Sequence, residues 1–267
     1  MSLQEKVARA AQLIRQSHHM VAFTGAGHST PSGIPDFRSP ESGLWEKYNP
    51  MLVASVWAFR LDPKTFYDWV RPLVDTMLNA APNPAHLALA ELEEMGYLKV
   101  IITQNIDNLH QRAGSRRVLE LHGHMREATC IRCYKQVPVD PMIEQFIRDG
   151  RVPHCECGGV LKPNVILFGE QLPIRVLNQA MEEARRCDLI LVAGSSLEVA
   201  PAGDIPYLAV EHGARAIVVN IQPTAFDCRA EVVIHGDVAD VLPCLLEAVL
   251  RTEEDGNSFC RSTAPAI

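Results

Sequence analysis

Uniformly apolar runs alternate with amphipathic segments along most of the chain. Near the N-terminus, apolar residues at positions 3, 7, 10, 11 and 14 share one helix face, which predicts a helix over 3–16. The run "MVAFT" that follows is short, apolar and meets a glycine turn, which predicts a buried strand. The same patterns predict strands over 20–24, 98–103, 186–194, 214–220 and 230–236, and helices over 63–79, 84–95 and 238–250.

This alternation is typical of an α/β fold in which a parallel sheet is covered by helices on both faces. Ligands bind such sheets at the carboxyl ends of the strands. The polar or glycine-rich segments that follow the predicted strands should therefore lie along one edge. These segments are Gly25-Ala26-Gly27, Gln104-Asn105-Ile106-Asp107, Gly194-Ser195-Ser196 and Asn220.

Two segments interrupt the alternation. Residues 39–82 are rich in Trp, Phe, Tyr and Pro and show no strand alternation, so we interpret them as a helical insertion. Residues 124–165 hold four clustered cysteines. The end of the chain, 251–267, has the composition of a flexible tail.

Composition narrows the class of protein. The chain has 267 residues, a formal net charge of −7 and no apolar run near the roughly 20 residues that span a bilayer. The first 16 residues carry charges throughout, without a secretory apolar stretch. We expect a cytoplasmic protein with no membrane partner, and the acidic balance argues against direct nucleic-acid binding.

The clustered cysteines suggest a metal site. Cys130 and Cys133 form one close pair, and Cys155 and Cys157 form another. Without a secretory signal, metal is favoured over disulfides, and four thiolates suit one structural Zn²⁺ with no open position. Two alternatives stay open, which are His154 in place of Cys155 and cysteines that bind no metal.

The glycine loop departs from a strict dinucleotide fingerprint. Gly25 and Gly27 allow a tight turn close to a pyrophosphate, but Thr30 stands where G-x-G-x-x-G needs its third glycine. This departure disfavours a hydride-transferring dehydrogenase. In the Pro35-Asp36-Phe37-Arg38 run, Arg38 could pair with phosphate and Phe37 could cover a base or a reactive carbon. The alternative is an ordinary tight turn and loop.

Two further motifs carry candidate chemistry. In "TQNIDNLH", Asp107 could accept from a carboxamide and Asn105 could hold a ribose hydroxyl or a water, although either could instead cap a helix. In "ELHGHM", His122 is a candidate for proton transfer near neutral pH, with His124 as its competitor.

Together these motifs resemble the sirtuin family of NAD-dependent protein lysine deacylases, over about residues 5–250. The matching pieces are "GAGHSTPSGIPDFRS", "GLW" at 43–45, "TQNID" at 103–107, "LHG" at 121–123, the cysteine pairs, "VILFGE" at 165–170, "GSSLEVAPAG" at 194–203 and "VVN" at 218–220. The resemblance implies a Rossmann-type NAD-binding large domain from 1–38, 83–123 and 166–250. It also implies a small domain made of the helical insertion, 39–82, and a zinc-binding module, 124–165.

In this family NAD and an acylated lysine enter the cleft between the domains from opposite sides. The acyl oxygen attacks C1′ of the nicotinamide ribose and nicotinamide leaves. A histidine then acts as general base on a ribose hydroxyl, which attacks the O-alkylimidate. The resemblance implies NAD as a consumed co-substrate, one structural Zn²⁺, and free lysine, nicotinamide and O-acyl-ADP-ribose as products.

The family's motifs assign roles residue by residue. His122 is the base, and Asn105 and Asp107 serve the ribose and the nicotinamide carboxamide. The cofactor contacts are Gly25, Ala26, Gly27, Ser29, Pro35, Asp36, Phe37, Arg38, Trp45, Gln104, Asn105, Ile106, Asp107, His122, Gly194, Ser195, Ser196, Asn220, Gln222 and Val238. The peptide contacts, where the substrate would add as a strand, are Val165, Phe168, Gly169, Glu170, Leu197, Glu198 and Val199. The zinc ligands are Cys130, Cys133, Cys155 and Cys157.

Two features depart from the family's patterns. His28 stands where the family commonly has an apolar residue. Members that remove succinyl or malonyl groups carry Tyr-x-x-Arg in the helical insertion, whereas the nearest pair here, Tyr67 and Arg71, is four apart. We therefore expect uncharged acyl groups, acetyl first. The alternatives are a desuccinylase or demalonylase and a mono-ADP-ribosyltransferase. The sequence leaves the oligomeric state open, and we expect a monomer.

Overall fold

Six parallel strands form the main sheet of the computed structural model, which describes residues 1–37 and 43–251. The order across the sheet is β3-β2-β1-β7-β8-β9, so the sheet is wound in both directions from β1. The strands are β1 (Met20–Thr24), β2 (Leu98–Thr103), β3 (Val118–Glu120), β7 (Leu189–Ala193), β8 (Arg215–Asn220) and β9 (Val232–His235).

Helices cover both faces of this sheet. Met20 and Ala22 of β1 point into one core and Val21 and Phe23 into the other, and all four are fully buried. Burial on both faces explains why the strands are apolar at every position instead of at alternate positions. The helices of the first core are α1 (Leu3–Gln16), α6 (Pro84–Glu94) and α11 (Val238–Leu250), and those of the second are α9 (Ile174–Arg186) and α10 (Ile205–Glu211).

The predicted α/β fold with a doubly covered parallel sheet is confirmed. The predicted strands 20–24 and 98–103 match β1 and β2, while β7 begins at Leu189 and not at 186, because α9 continues to Arg186. Asn83 caps α6, which matches the predicted helix 84–95 to within one residue, since its side-chain oxygen accepts from the Ala85 amide at 2.9 Å. The patterns did not identify β3, α9 or α10.

The predicted helical insertion consists of helices, and the cysteine segment forms a second sheet. The described helices here are α2 (Leu44–Lys47), α3 (Pro50–Val53), α4 (Val56–Leu61) and α5 (Pro63–Asn79). The antiparallel sheet has the order β5-β4-β6, with strands β4 (Gly123–Cys130), β5 (Gln136–Pro138) and β6 (Leu161–Val165). Helix α8 (Asp140–Asp149) follows β5, and the short α7 (Leu109–Arg112) follows β2.

A third apolar core joins the insertion to the cysteine segment. Phe66 and Val70 of α5 pack in one cluster with Phe146 of α8 and Val165 of β6. The two segments therefore support each other, although residues 83–123 separate them in sequence. The boundaries of the two predicted domains stay a prediction. Within 1–37 and 43–251, the helices are too short or too polar for any of them to cross a membrane.

Candidate functional site

One cavity of about 1000 Å³ lies between the carboxyl ends of the main-sheet strands and the helical insertion. The predicted site residues that line it are Ala26, Gly27, Ser29, Pro35, Asp36, Phe37, Trp45, Gln104, Asn105, Ile106, Asp107, His122, Val165, Phe168, Gly169, Glu170, Gly194, Ser195, Ser196, Glu198, Val199, Asn220, Gln222 and Val238. Gly25 and Leu197 do not line it, and Arg38 lies outside the described residues.

Gly25 acts where two loops meet. A Cβ on Gly25 would lie 2.8 Å from the Ser195 Cβ, closer than real Cβ atoms approach. Gly194 has φ +66°, and a Cβ there would overlap the backbone nitrogen of His28. Glycine at these positions therefore lets the cofactor loop, residues 25–37, pack directly on the loop that follows β7.

A hydrogen-bonded group connects the cofactor loop to the segment after β2. The Ser29 hydroxyl donates to Asp107 Oδ2 at 2.7 Å, and Asn105 Nδ2 donates to the Ser29 hydroxyl oxygen at 3.0 Å and to the Gly25 carbonyl at 2.9 Å. The other Asp107 oxygen accepts from the Leu109 amide at the start of α7, at 2.8 Å. Asp107 thus bonds to the first turn of α7 and also lines the cavity. Burial raises the pKa of the Asp107 carboxyl above its usual value.

The orientation of His122 is fixed by the backbone of a neighbouring segment. Its Nδ1 lies 2.9 Å from the carbonyl oxygen of Gln104, so Nδ1 donates and a neutral ring carries its proton there. Nε2 then has the lone pair that a general base needs. His124 does not line the cavity and lies 4.0 Å from the Glu127 carboxylate. The geometry favours His122 over His124 as the candidate general base.

The far end of the cavity is built from the loops after β7 and β8. Ser195 Oγ accepts from Gln104 Nε2 at 3.2 Å and from the Leu197 amide at 3.3 Å. Asn220 Nδ2 donates to the Gln222 carbonyl at 2.7 Å. Val238 is buried at the first turn of α11 and closes this end.

Aromatic rings connect the cofactor loop to the insertion. Phe37 stacks on Trp45 with ring centroids 5.1 Å apart, and Trp45 stacks on Trp69 at 5.8 Å. The Trp45 ring also meets the edge of Phe168 at 5.9 Å. Trp45 therefore lies at the junction of the predicted cofactor and peptide contacts.

The segment after β6 is held in an extended form by the insertion. The Phe168 amide donates to the Ala54 carbonyl at 2.9 Å, and its carbonyl accepts from the Val56 amide at 3.0 Å. The Glu170 carboxylate accepts from the Leu167 amide and pairs with Lys162, both at 2.9 Å. Glu170 is therefore held by its own segment.

One wall of the cavity was missed by the sequence analysis. It is an apolar stripe along α5, which we call the apolar wall and which consists of Phe66, Trp69, Val70, Leu73 and Met77. The spacing i, i+3, i+4, i+7, i+11 marks one helix face and is visible in the sequence. The pattern alone does not distinguish a core-facing stripe from a cavity-facing one.

Tyr67 and Arg71 lie on another side of α5, away from the cavity. The Tyr67 hydroxyl donates to the carbonyl of Leu161, and the Arg71 guanidinium donates to the carbonyls of Ile147 and, at 2.9 Å, Arg148. Both side chains bind the cysteine segment, so neither is placed to hold an acyl carboxylate.

The four clustered cysteines meet as predicted. The Sγ atoms of Cys130 and Cys157 are 3.5 Å apart, those of Cys133 and Cys155 are 3.7 Å apart, and all four lie within 4.8 Å of one another. Four thiolates about 2.3 Å from one Zn²⁺ would be about 3.8 Å apart, so the group fits the ion. His154 is not part of it, because its Nδ1 bonds to the Val152 carbonyl at 2.7 Å.

Known proteins resemble this chain in sequence and in fold. The Sir2 family model matches residues 25–201. NAD-dependent protein deacylase 2 of Archaeoglobus fulgidus is 48% identical over 255 residues, which are 95% of this chain and 100% of that protein. NAD-dependent protein deacetylase of Sulfurisphaera tokodaii is 47% identical over 241 residues, which are 90% of this chain and 95% of that protein.

A solved structure supports the same relationship. It is Sir2Af2 bound to a myristoylated histone peptide, which is 43% identical, with a TM-score of 0.80 over 92% of this chain and 96% of the other. The sequence match covers both the glycine loop and the cysteine cluster, and the structural match extends over almost the whole chain. The chain belongs to the Sir2 family.

Proposed function

We propose that this chain is an NAD-dependent protein lysine deacylase that removes uncharged acyl groups, acetyl first, and gives free lysine, nicotinamide and O-acyl-ADP-ribose. The observation that carries the proposal is the position of His122. Its ring is held by the Gln104 carbonyl inside the cavity that Asn105 and Asp107 also line. A base next to amide and carboxylate groups suits a ribose hydroxyl as the group that loses its proton.

The donor set of the cavity fits NAD. Amide and hydroxyl side chains end the central strands, and the Gly25–Gly194 contact brings two backbone loops together where a pyrophosphate would lie. Bound NAD would supply a glycosidic carbon that accepts the acyl oxygen as nicotinamide leaves. The residues that would hold it are the predicted cofactor contacts that line the cavity.

The chain's own groups have distinct roles in this proposal. Asp107 accepts from the carboxamide, and Asn105 orients a ribose hydroxyl or a water. Phe37, through its stack on Trp45, covers the reacting end and excludes water. His122 takes the ribose proton on Nε2. Arg38 remains a predicted phosphate ligand.

The substrate would lie between two extended segments. Residues 168–170 and 198–199 line the cavity, and a peptide added between these two segments would bind through its main chain. Because Phe168 already uses its amide and carbonyl, and the Glu170 amide donates to the Leu167 carbonyl at 3.0 Å, the pairing on that side falls to Gly169 and the Glu170 carbonyl. Recognition through the main chain leaves sequence selectivity loose.

The apolar wall favours a second class of acyl group. Its five side chains extend the cavity beyond the polar groups without adding a charge. A longer uncharged acyl chain would bury apolar area there, at roughly 0.8 kcal/mol per buried CH₂. A charged succinyl or malonyl group would find no cation on this wall.

The remaining assignments follow from the cysteine cluster and the fold. One Zn²⁺ bound by four thiolates would have a structural role, because no coordination position is left open. Reduced thiolates fit a cytoplasmic location. We also propose a monomer as the working state.

One assay tests the proposal. The zinc-loaded chain is incubated with NAD and one peptide carrying acetyl, octanoyl, myristoyl or succinyl lysine, and mass spectrometry reads peptide and nucleotide products together. We expect nicotinamide and O-acyl-ADP-ribose to form in equal amounts with acetyl and longer uncharged groups. ADP-ribose on the peptide would support a mono-ADP-ribosyltransferase, and no release of nicotinamide across the panel would refute both.

A further inference from the structure

Three buried histidines meet beneath the cofactor loop, outside the cavity wall. His28 belongs to the loop, His86 to the first turn of α6 and His110 to α7. The ring centroids are 4.6 Å apart for His28–His86, 5.0 Å for His28–His110 and 4.8 Å for His86–His110. Each residue is at most 1% exposed.

Contacts of His86 and His110 with neighbouring residues determine which ring nitrogen of each carries the proton. His86 Nδ1 accepts from the Asn83 amide at 3.3 Å, so its proton is on Nε2. His110 Nε2 lies 2.9 Å from the Thr24 hydroxyl, and that hydroxyl donates its own proton to Thr103. His110 Nε2 must therefore be the donor, which leaves a lone pair on Nδ1.

Four ring nitrogens in the group are buried and lack a hydrogen-bond partner among the described residues. They are His86 Nε2, both nitrogens of His28 and His110 Nδ1. Burial lowers the pKa of His28 and His110 well below the usual value and that of His86 to about 4, so all three rings are neutral near pH 7. A neutral imidazole has one donor and one acceptor. His86 has one free donor, His110 has one free acceptor, and His28 has one donor and one acceptor. These four groups can form two hydrogen bonds, one on each side of His28.

We propose that His28 is a positioning residue of the cofactor loop, which accepts a hydrogen bond from His86 Nε2 and donates one to His110 Nδ1. One ring nitrogen of each residue lies within 4.8 Å of one ring nitrogen of each of the others, and the ring centroids are at most 5.0 Å apart, so small side-chain rotations bring the rings into hydrogen-bonding range. The result is a continuous chain of hydrogen bonds from the Asn83 amide to Thr103. It connects the cofactor loop to α6 and α7.

The same geometry argues against a metal ion at this site. A metal would need a lone pair from each ring, but the His86 lone pair faces the Asn83 amide. No carboxylate belongs to the group, so a divalent charge would be fully buried without a counter-charge. The hydrogen-bond chain satisfies every ring nitrogen without adding charge.

The position of His28 explains why this series of hydrogen bonds would affect cofactor binding. Its carbonyl accepts from Asn83 Nδ2 at 2.9 Å, and its backbone lies against Gly194. The adjoining Ala26 and Gly27 line the cavity. A loop held in place before the ligand arrives loses less conformational freedom on binding, which raises affinity.

Nitrogen NMR tests the hydrogen bonds directly in the full chain with ¹⁵N-labelled histidine rings. We expect N–N couplings across hydrogen bonds for His86–His28 and for His28–His110. A coupling only between His86 and His110, or two zinc ions per chain instead of one, would overturn the proposal. This measurement needs no NAD, so its result does not depend on the proposed function.

Two variants test the role in cofactor binding, which rests on the proposed function. His28→Gln keeps one acceptor and one donor, whereas His28→Leu has neither. By calorimetry, we expect His28→Leu to bind NAD about tenfold more weakly, equivalent to about 1.4 kcal/mol, and the NAD affinity of His28→Gln to stay within about threefold of the wild type. The peptide KM should stay unchanged in both. Equal NAD affinity for His28→Leu and the wild type would refute the positioning role, and wild-type protein that does not bind NAD would refute the proposed function instead.

Discussion

The two walls of the cavity are built by different means. The polar wall, which we define as Gln104, Asn105, Asp107, His122 and Ser195, stands on strand ends of the main sheet and is held by hydrogen bonds. The apolar wall is one face of α5, which packs on the cysteine segment through a separate core. The polar wall should therefore set cofactor binding and chemistry, and the apolar wall should set the acyl group. Four variants test this division.

Loss of one zinc ligand should have the largest effect on activity. Cys130→Ser should abolish zinc binding and melt the cysteine segment that supports α5, because structural zinc contributes directly to folding. We expect deacylation to be lost while NAD affinity, which the main sheet supports, changes by less than about threefold. Zinc content, NAD calorimetry and turnover measure this.

Cys228→Ser is the matched control, since Cys228 is exposed and outside the zinc cluster. It should leave zinc content and turnover unchanged. Unaltered zinc content and melting temperature in Cys130→Ser would contradict the structural role of the cluster.

Loss of the general base should have the second-largest effect. His122→Ala should lower kcat by about 10²–10⁴-fold, the usual contribution of a general base, with little change in melting temperature. Steady-state kinetics with acetylated peptide measure this. His124→Ala, two residues away and outside the cavity, should retain most turnover. Near-normal turnover in His122→Ala would remove that residue from its role.

Filling the part of the cavity beside the apolar wall should change only the selectivity among acyl groups. Leu73→Trp should lower turnover of myristoyl-lysine about tenfold relative to acetyl-lysine, because a longer chain needs the space that the indole fills. Competition between the two peptides measures the ratio. Leu78→Trp, on the exposed side of the same helix, is the control. If Leu73→Trp lowers both rates equally, the wall does not select the acyl group.

The smallest effect is expected at Arg71. Arg71→Met removes hydrogen bonds to the carbonyls of Ile147 and Arg148, which should lower Tm by about 2–4 °C. Acetyl and succinyl turnover should both change by less than about twofold. A selective loss of desuccinylation would show that Arg71 reaches the acyl group after all.

The sequence predicted the polar wall more completely than the apolar wall. Gln104, Asn105 and Asp107 directly follow an apolar strand, and the carboxyl ends of parallel strands share one edge, so local order determined their location. The stripe on α5 was visible as helical spacing, but a stripe that faces a cavity has the same pattern as one that faces a core. Tyr67 and Arg71 share one side of that helix, and only the fold shows that this side meets the cysteine segment.

The sequence by itself determined the alternating apolar runs, the cysteine pairs and the order of the polar motifs, because these depend on neighbours along the chain. Only the tertiary structure decided which side of α5 lines the cavity, that Asp107 bonds to Ser29, and that His28 meets His86 and His110. The Asp107–Ser29 and histidine contacts join residues about 60 to 80 positions apart. Their geometry depends on how helices and loops pack on the sheet, and no local pattern of residues encodes it.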